Sequence, residues 1–225
     1  FGYELAVVVH DGLKRMYVDQ ERVFYYLTLM NENYEHPEMP KGAEEGIKRG
    51  MYLFEKDEKA TVQLLGSGVI LREVIKAAKI LREEYQIHSN IWSVTSFNEL
   101  ARDGQDAERH NLLNPTQPPR VPFVAQQLEG HAGPVVASTD YMKNYAEQIR
   151  PFVPRERIFK VLGTDGFGRS DFRSKLREHF EINRHYIVVA ALKGLADDGK
   201  LPMTKVAEAI QKYGIQADKV NPLHA

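Results

Sequence analysis

The sequence contains no cysteine. This excludes a disulfide framework, a thiolate-bound zinc or iron–sulfur site, and a cysteine nucleophile. A chain without cysteine also suits a reducing compartment, and we expect a cytoplasmic protein.

The sequence also lacks an excess of charge of either sign. The 30 lysines and arginines are balanced by 31 aspartates and glutamates, and the isoelectric point is about 6.8. Without an overall basic field, nucleic acid and anionic membrane surfaces are not expected partners. Long hydrophobic runs are missing as well, because the longest, residues 5–9 and 186–192, fall far below the ~18–20 residues that cross a bilayer.

The length of 225 residues sets the scale of the fold. At roughly 100–200 residues per domain, it allows one large domain, or one domain with part of another. The chain opens at Phe1 in the helical pattern FGYELAVVVHDGLKRMY, without a methionine and without the features of a signal peptide. We therefore expect more of the protein to precede Phe1.

The first quarter of the chain carries apolar patterns that end in a short run of charge. VFYYLTLM, residues 23–30, is β-branched and aromatic without polar alternation, which predicts a strand covered on both faces. A turn follows, and AEEGIKRGMYLFE, residues 43–55, predicts a helix with acidic residues in its first turn. The charge run EKDEKA, residues 55–60, marks the predicted boundary between two folding units, residues 1–55 and residues 56–225.

Beyond this boundary, strand patterns alternate with helical ones. VQLLGSG, IWSVTS, VVAST and IFKVLG predict four strands. Between the first two, one apolar stripe at helical spacing is formed by Leu71, Val74, Ile75, Ala78 and Leu81. Two further helices are predicted around residues 186–196 and 204–213. This order predicts an α/β fold with a three-layer, doubly wound, mainly parallel sheet, preceded by the tail of a second α/β domain.

GTDGFGRS, which begins at Gly163 and ends at Ser170, follows a predicted strand. It fits the phosphate-cradling spacing G-x-x-x-x-G-K-[ST] except that Arg169 replaces the lysine, and a planar guanidinium is a poor substitute for that compact charge. The alternative is a glycine-dependent turn in which Ser170 or Asp171 caps the following helix. We favour the turn, because no hydrophobic strand ends convincingly in a magnesium-binding aspartate.

Two further patterns predict no cofactor or metal site. LGSGVIL, residues 65–71, begins like a dinucleotide-binding turn, but Leu71 occupies the third small-residue position and no carboxylate ends the next strand. The eight histidines are scattered, with no H-E-x-x-H pattern and no pair at i, i+4. We interpret the first pattern as a tight strand-to-helix turn and the histidines as surface or core residues.

ELARDGQDAERHN, residues 99–111, is dense in charge and follows the carboxyl end of a predicted strand, where α/β sheets usually place binding sites. We expect a loop here. An ion-pair network that fixes a long connection or a subunit contact is favoured over a binding site, because polar loops rich in arginine also suit interface rims. The interface candidates are Arg102, Asp103, Asp106, Glu108 and Arg109.

Several long stretches resemble one family in order and spacing. They are TLMNENYEHPEMPKGAEEGIKRGMY, QLLGSGVILREV, VTSFNELARDGQDAERHNLL, VASTDYMKNYAEQIRPFVP and LGTDGFGRSDFRSKLREHFE. Together they resemble the C-terminal part of the homodimeric bacterial pyruvate dehydrogenases, which belong with the transketolases. The resemblance implies that residues 1–55 are the tail of a pyrimidine-binding domain and that residues 56–225 are a transketolase-type C-terminal domain.

The resemblance also implies an activity for the parent enzyme. This is the oxidative decarboxylation of pyruvate with thiamine diphosphate and magnesium, followed by transfer of the acetyl group to a lipoyl domain. The implied partners are a second identical subunit and the dihydrolipoyl acetyltransferase core of the pyruvate dehydrogenase complex.

The family's diphosphate motif has no match in this chain, because HDG at His10 and TDG at Thr164 lack its first glycine. We therefore assign no catalytic, cofactor-binding or metal-binding residue here. The chain is expected to bind neither thiamine diphosphate nor magnesium by itself, to support dimer formation, and to be inactive alone.

One weaker transfer concerns the turn after residues 23–30. In transketolases the equivalent turn lies near the substrate channel and carries an arginine for the sugar phosphate. Here the turn reads Asn31, Glu32, Asn33 and Tyr34, and the missing arginine suits a substrate without phosphate. These four residues are the substrate-channel candidates, and a structural role in a buried turn is the alternative.

Two other functions stay open. One is a free-standing docking or interaction module of the complex, and the other is a phosphate-binding enzyme that uses the loop from Gly163 to Ser170. For the dimer-forming role, the apolar side chains of residues 5–9 and 23–30 are expected to pack on the preceding part of the pyrimidine-binding domain. Where they are exposed, they are expected to drive association.

Overall fold

The computed structural model describes residues 1–225. Its centre is a five-stranded sheet with the strand order β1-β3-β2-β4-β5. The strands are β1 (Met51–Glu55), β2 (Val62–Ser67), β3 (Ser89–Val94), β4 (Val135–Ser138) and β5 (Phe159–Leu162). β1 runs antiparallel to β3, and the other pairs are parallel. The predicted mainly parallel sheet is confirmed, and the four predicted strands are β2 to β5.

Helices cover both faces of this sheet. The helices of the chain are α1 (Gly2–Leu13), α2 (Ala43–Arg49), α3 (Leu71–Tyr85), α4 (Phe97–Leu113), α5 (Phe123–Leu128), α6 (Lys143–Glu147), α7 (Arg173–His179), α8 (Arg184–Asp197) and α9 (Met203–Lys212). Of these, α3, α8 and α9 cover one face, and α4, α5 and α6 cover the other. The predicted helices at the start of the chain, after β2 and near the end of the chain are confirmed. None of these helices combines the length and the apolar character that crossing a bilayer requires.

Side chains on the two faces of the sheet build two separate cores, because successive residues of a strand point to opposite faces. Leu64 of β2 is fully buried in the core beneath α3, α8 and α9. Its neighbour Leu65 is fully buried in the core beneath α4, α5 and α6. A sheet covered in this way on both faces forms the middle layer of the predicted three-layer fold.

The strand predicted for residues 23–30 is wrong, since this segment belongs to no element of regular structure. Phe24 and Tyr26 are 89% and 82% exposed, and residues 24–39 take part in no backbone–backbone hydrogen bond. A strand is stable only when its backbone groups pair with a neighbouring strand. No strand of the sheet pairs with this segment, so most of its apolar side chains stay exposed.

The helix predicted for residues 43–55 ends early, because its last five residues form β1. Gly50 adopts a φ of 106°, the left-handed conformation at which helices commonly end. A Cβ at this position would lie 2.6 Å from the carbonyl oxygen of Ser96, so the close approach also requires glycine. Since β1 pairs with β3, the sheet contains residues from both sides of the predicted boundary after residue 55. The division into residues 1–55 and residues 56–225 stays a prediction.

The charged loop predicted for residues 99–111 is also wrong, because these residues form the body of α4. Ser96 caps the helix by accepting a hydrogen bond from the backbone N–H of Glu99 at 3.1 Å. The buried side of the helix is formed by Phe97, Leu100, Ala101, Gly104 and Ala107. Two alanines and a glycine among these positions give a weak apolar signal, which the surrounding charges conceal.

Gly104→Ala is expected to destabilise the chain by up to about 2 kcal/mol. The new Cβ would lie 2.3 Å from the ring of Phe152, which is itself buried. Overpacking of this kind costs about 1–3 kcal/mol and outweighs the ~1 kcal/mol that alanine gains over glycine in a helix. Urea unfolding followed by circular dichroism measures the difference.

The control for this substitution is Gly168→Ala, because nothing lies within 4 Å of a Cβ at Gly168. Its stability is expected to stay within ~0.5 kcal/mol of the parent chain. Equal stability of the two variants would contradict the close packing of α4 on Phe152.

Candidate functional site

The connections of the sheet define one crevice. From β2 the chain passes to β3 on one side, and it later returns to β4 on the other side. In open α/β sheets, ligands bind at the carboxyl ends of strands whose connections diverge in this way. Gly68 follows β2 and Asp140 comes shortly after β4. This edge of the sheet is the candidate site.

Asp140 places a carboxyl group at the crevice. A Cβ built on Gly68, whose φ is 56°, would lie 3.5 Å from Asp140 Oδ1. Thr164 Oγ1 donates a hydrogen bond to the backbone oxygen of Asp140 at 2.9 Å, so the loop after β5 holds this residue in place. Burial raises the pKa of the Asp140 carboxyl, and its own backbone hydrogen bond and the charge of Arg177 oppose the shift only in part. The crevice therefore carries an acid that is protonated more readily than an exposed aspartate.

Glu32, one of the substrate-channel candidates, lies beside this crevice. Its Oε1 accepts a hydrogen bond from Arg72 of α3 at 2.7 Å, and its Oε2 accepts one from Arg177 of α7 at 2.6 Å. Burial alone would raise the pKa of Glu32, but the hydrogen bonds and charges of Arg177 and Arg72 outweigh it and lower the pKa. The positive charge of Arg177 favours the ionised form of both Glu32 and Asp140. The candidate segment and the crevice are therefore electrostatically coupled through this residue.

Glu73 supports this arrangement from the buried face of α3, where only 3% of its side chain is exposed. Arg184 donates to the Glu73 carboxylate from Nε at 2.9 Å, from Nη2 at 3.0 Å and from its backbone N–H at 3.0 Å. Arg177 Nη1 lies 3.7 Å from the same carboxylate. Burial would raise the pKa of Glu73, yet the contacts from Arg184 lower it. A buried charge that is paired and hydrogen-bonded in this way joins α3, α7 and α8.

The other channel candidates differ in their contacts. Asn31 Oδ1 accepts a hydrogen bond from Arg173 Nη2 at 2.6 Å. The ring of Tyr34 lies 4.5 Å from the guanidinium carbon of Arg72, a cation–π distance. Asn33 is exposed. The structure therefore brings the four candidates to one edge of the sheet, with Glu32 and Tyr34 turned toward the domain and Asn33 turned toward solvent.

Sequence reasoning did not identify the residues that complete this site: Arg72, Glu73, Asp140, Arg177 and Arg184. One signal was present, because Glu73 lies beside Val74 on the buried side of α3. A carboxylate that shares a helix face with core residues requires a partner from elsewhere in the chain.

The predicted interface residues all lie on α4: Arg102, Asp103, Asp106, Glu108 and Arg109. The first three line a cleft of about 710 Å³, whose other walls include α1 and residues 22–27. The last two are exposed farther along the helix. The structure therefore brings only part of this set together, and contact with a second subunit stays a prediction.

Asp103 has a role inside the chain. It accepts a hydrogen bond from the backbone N–H of Phe123 at the start of α5, and Arg49 Nη2 lies 3.5 Å from its carboxylate. The guanidinium of Arg49 in turn lies 3.8 Å from the centre of the Phe123 ring. An ion-pair network that fixes a long connection, the alternative favoured from sequence, accounts for this residue.

The loop GTDGFGRS makes a close contact with the chain itself. Gly166 adopts a φ of 97°, and a Cβ there would lie 2.1 Å from a backbone carbonyl oxygen near the end of the chain. The glycine-dependent turn accounts for this position. The prediction that Ser170 or Asp171 caps the next helix is wrong, because α7 begins at Arg173 with Phe172 at the N-cap position.

The two triplets that partly match the family's diphosphate motif do not fit the diphosphate and magnesium of thiamine diphosphate. The HDG triplet, residues 10–12, lies within helix α1, and its Asp11 accepts a hydrogen bond from Tyr25 at 3.1 Å. In the TDG triplet, Asp165 accepts a hydrogen bond from the backbone N–H of Lys143 at 3.0 Å. Both aspartates are engaged within the chain, and no three His, Asp or Glu side chains converge as metal ligands. These side chains therefore provide no cradle for the cofactor.

Glu73→Gln is expected to cost about 1–3 kcal/mol of stability at pH 7, because it leaves Arg184 without its carboxylate. The pKa of Glu73 is lowered in the folded chain from its usual 4.5, so its stabilising contribution is complete above that pH. It is lost as the pH falls through the folded-state pKa. Urea unfolding is measured at pH 7 and at a series of pH values below 4.5. As the pH falls, the free energy of unfolding is expected to decrease less in the variant than in the parent chain.

Glu178→Gln on α7 is the control for this prediction. Glu178 pairs with Lys175 at 3.0 Å, and both side chains are more than half exposed. An exposed pair of this kind contributes about 0–1 kcal/mol, so the acid dependence of the control is expected to match that of the parent chain. If Glu73→Gln had the same acid dependence as the parent, the role assigned to the buried carboxylate would be refuted.

A solved structure shows the same fold. The chain aligns with a transketolase from Pichia stipitis at a TM-score of 0.50 and 16% identity, covering 73% of this chain and 21% of the transketolase. At this identity the likeness concerns the fold alone.

Curated relatives are far more similar in sequence. The chain is 58% identical to the pyruvate dehydrogenase E1 component of Cupriavidus necator over 227 residues, and 58% identical to that of Pseudomonas aeruginosa over 226 residues. Each alignment covers 99% of this chain, but only 25% and 26% of the relatives. The chain therefore spans about a quarter of the length of the curated relatives it matches.

Two families match different parts of the chain. The pyruvate dehydrogenase E1 component middle domain matches residues 1–37, and the transketolase-like TK C-terminal domain matches residues 50–183. The second match covers more than half of the chain and includes all five strands, and it ends before α8. The chain therefore belongs to the family of transketolase-like C-terminal domains, and nearly its whole length is highly identical to bacterial pyruvate dehydrogenase E1 components.

Proposed function

We propose that the chain works as the C-terminal part of the decarboxylating E1 subunit of a pyruvate dehydrogenase complex. The observation that carries this proposal is 58% identity to two E1 components over 99% of the chain. On this proposal, the parent enzyme decarboxylates pyruvate oxidatively and transfers the acetyl group to a lipoyl domain. The chain itself is a structural and dimer-forming part that is inactive alone.

Thiamine diphosphate and magnesium act in the parent enzyme and are held by residues outside this chain. The hydrogen bonds of Asp11 with Tyr25, and of Asp165 with Lys143, support the assignment of cofactor binding to residues outside this chain. This chain supplies the packed sheet and the polar edge beside it, where Asn31, Glu32, Asn33 and Tyr34 line the substrate channel.

In the parent subunit, residues 1–55 form the tail of the pyrimidine-binding domain and residues 56–225 form the C-terminal domain. The high exposure of Phe24 and Tyr26 supports this proposal, because soluble proteins rarely leave contiguous large apolar side chains uncovered. The rest of the pyrimidine-binding domain covers them.

The partners proposed for the parent enzyme are a second identical subunit and the dihydrolipoyl acetyltransferase core, in the cytoplasm. Arg102, Asp106, Glu108 and Arg109 are exposed on α4, which supports a contact between subunits along this helix. The mixture of both signs of charge suits a polar interface rim.

The proposal is tested by comparing the isolated 225-residue chain with the full-length subunit. Pyruvate decarboxylation is measured with thiamine diphosphate, magnesium and an artificial electron acceptor. The full-length subunit is expected to turn over pyruvate, whereas the isolated chain shows neither turnover nor cofactor binding by calorimetry. Turnover by the isolated chain, or an inactive full-length subunit, would refute the proposal.

Self-association of the isolated chain tests the proposed covering of residues 23–30. Because Phe24 and Tyr26 are exposed, sedimentation velocity is expected to show association that rises with concentration. The double substitution Phe24→Ser and Tyr26→Ser is expected to reduce it, since the apolar area is removed without disturbing a packed core. Phe167→Ser, at a side chain 81% exposed on a different loop, is the control and should leave association unchanged. A parent chain that stays monomeric at high concentration would contradict the proposed packing.

A further inference from the structure

The four substrate-channel candidates, residues 31–34, form what we call the channel segment. This segment belongs to no helix or strand. Residues 24–39 take part in no backbone–backbone hydrogen bond, so side chains must hold them. The contacts from α3 and α7 converge on Glu32, which accepts hydrogen bonds from Arg72 and Arg177 on separate oxygens at 2.7 and 2.6 Å. Arg173 Nε lies 3.8 Å from the same carboxylate. Three arginines from two helices thus meet at one side chain of an irregular segment.

We propose that Glu32 is a positioning residue that clamps the channel segment to α3 and α7, so that Asn33 faces the substrate of the parent enzyme. This inference deepens the proposed function and rests on it. Glu32 and Tyr34 are partly buried against the domain, whereas Asn33 between them is exposed. Glu32 and Tyr34 therefore attach the segment to the domain, and Asn33 is left facing outward.

The clamp is built on a rigid base. The side chain of Arg177 is only 14% exposed, and its guanidinium lies between the carboxylates of Glu32 and Glu73. Glu73 is itself fixed by three hydrogen bonds from Arg184. A functional group is held accurately when the residues that support it are themselves fixed by packing and hydrogen bonds.

Tyr34 adds a second attachment point two residues after Glu32. Its ring packs on the Arg72 guanidinium, whose carbon lies 4.5 Å from the ring centre, and stacks on His36 with 4.9 Å between ring centres. Arg72 therefore contacts both anchored residues, on either side of Asn33. Two attachment points that flank one residue restrict its rotation as well as its position.

Stability alone does not explain this concentration of contacts. The side chains of these ion pairs are largely buried, so the loss of their hydration offsets much of their attraction. The segment that they hold contains no helix or strand. A carboxamide such as that of Asn33 offers two N–H donors and one acceptor. It suits the carboxylate and keto oxygens of a small 2-oxo acid, the substrate class of the proposed function.

The test uses the full-length E1 subunit and measures KM and kcat for pyruvate together with the thermal midpoint of unfolding. Asn33→Ala is expected to raise KM about three- to tenfold, the effect of losing one hydrogen bond, with an unchanged thermal midpoint. Glu32→Gln is expected to raise KM to a similar extent. Because Glu32 acts through Asn33, the double variant should raise KM no further than Asn33→Ala alone.

The control is Glu178→Gln, which removes an exposed ion pair with Lys175 on α7 and is expected to leave KM unchanged. If Glu32→Gln does not fold, Arg177→Lys takes its place with the same expectation, because lysine keeps the charge but loses the planar fork.

Three results would overturn the positioning role. They are an unchanged KM in Asn33→Ala, a Glu32→Gln variant that loses stability without a change in KM, and KM increases that multiply in the double variant. A parent subunit that turns over no pyruvate before any substitution would instead contradict the proposed function.

Discussion

The packing of helices on one face of the sheet depends on a buried carboxylate. Glu73 lies on the inner side of α3, where a charge without partners would cost several kcal/mol. Arg184, the first residue of α8, meets that requirement with its backbone N–H and two guanidinium nitrogens. The start of α8 is thereby fixed against α3, and Arg177 brings α7 to the same point. The irregular segment around Glu32 attaches to these helices through Arg177. Its position at the edge of the sheet therefore depends on the buried carboxylate of Glu73.

Much of the fold could be predicted because β2 to β5 are buried on at least one face, which leaves a strong apolar pattern. The pattern failed at residues 23–30 for a physical reason: it reports that side chains favour burial, and not whether a neighbouring strand is present to pair with them. At residues 43–55 the change from helix to strand depends on the left-handed conformation of Gly50. On α4, small buried residues between charges gave too weak a signal for a helix.

The candidate site was harder to predict than the fold. Asn31, Glu32, Asn33 and Tyr34 were identified only through a family resemblance, since nothing in their spacing indicates a channel. Their partners lie far away in sequence: Arg72 is 40 residues and Arg177 is 145 residues from Glu32. No periodic pattern links residues at such separations, whereas the three-dimensional fold places them within hydrogen-bonding distance.

The antiparallel pairing of β1 determines where this protein can be shortened. Every residue of β3 is buried, and β1 is the strand that covers its outer edge. A shorter protein starting at residue 56 would leave the backbone of residues 91–94 unpaired along that edge. Open edges beside well-packed strands recruit strands from other molecules. The C-terminal domain therefore relies on Met51–Glu55 as a protective cover against aggregation.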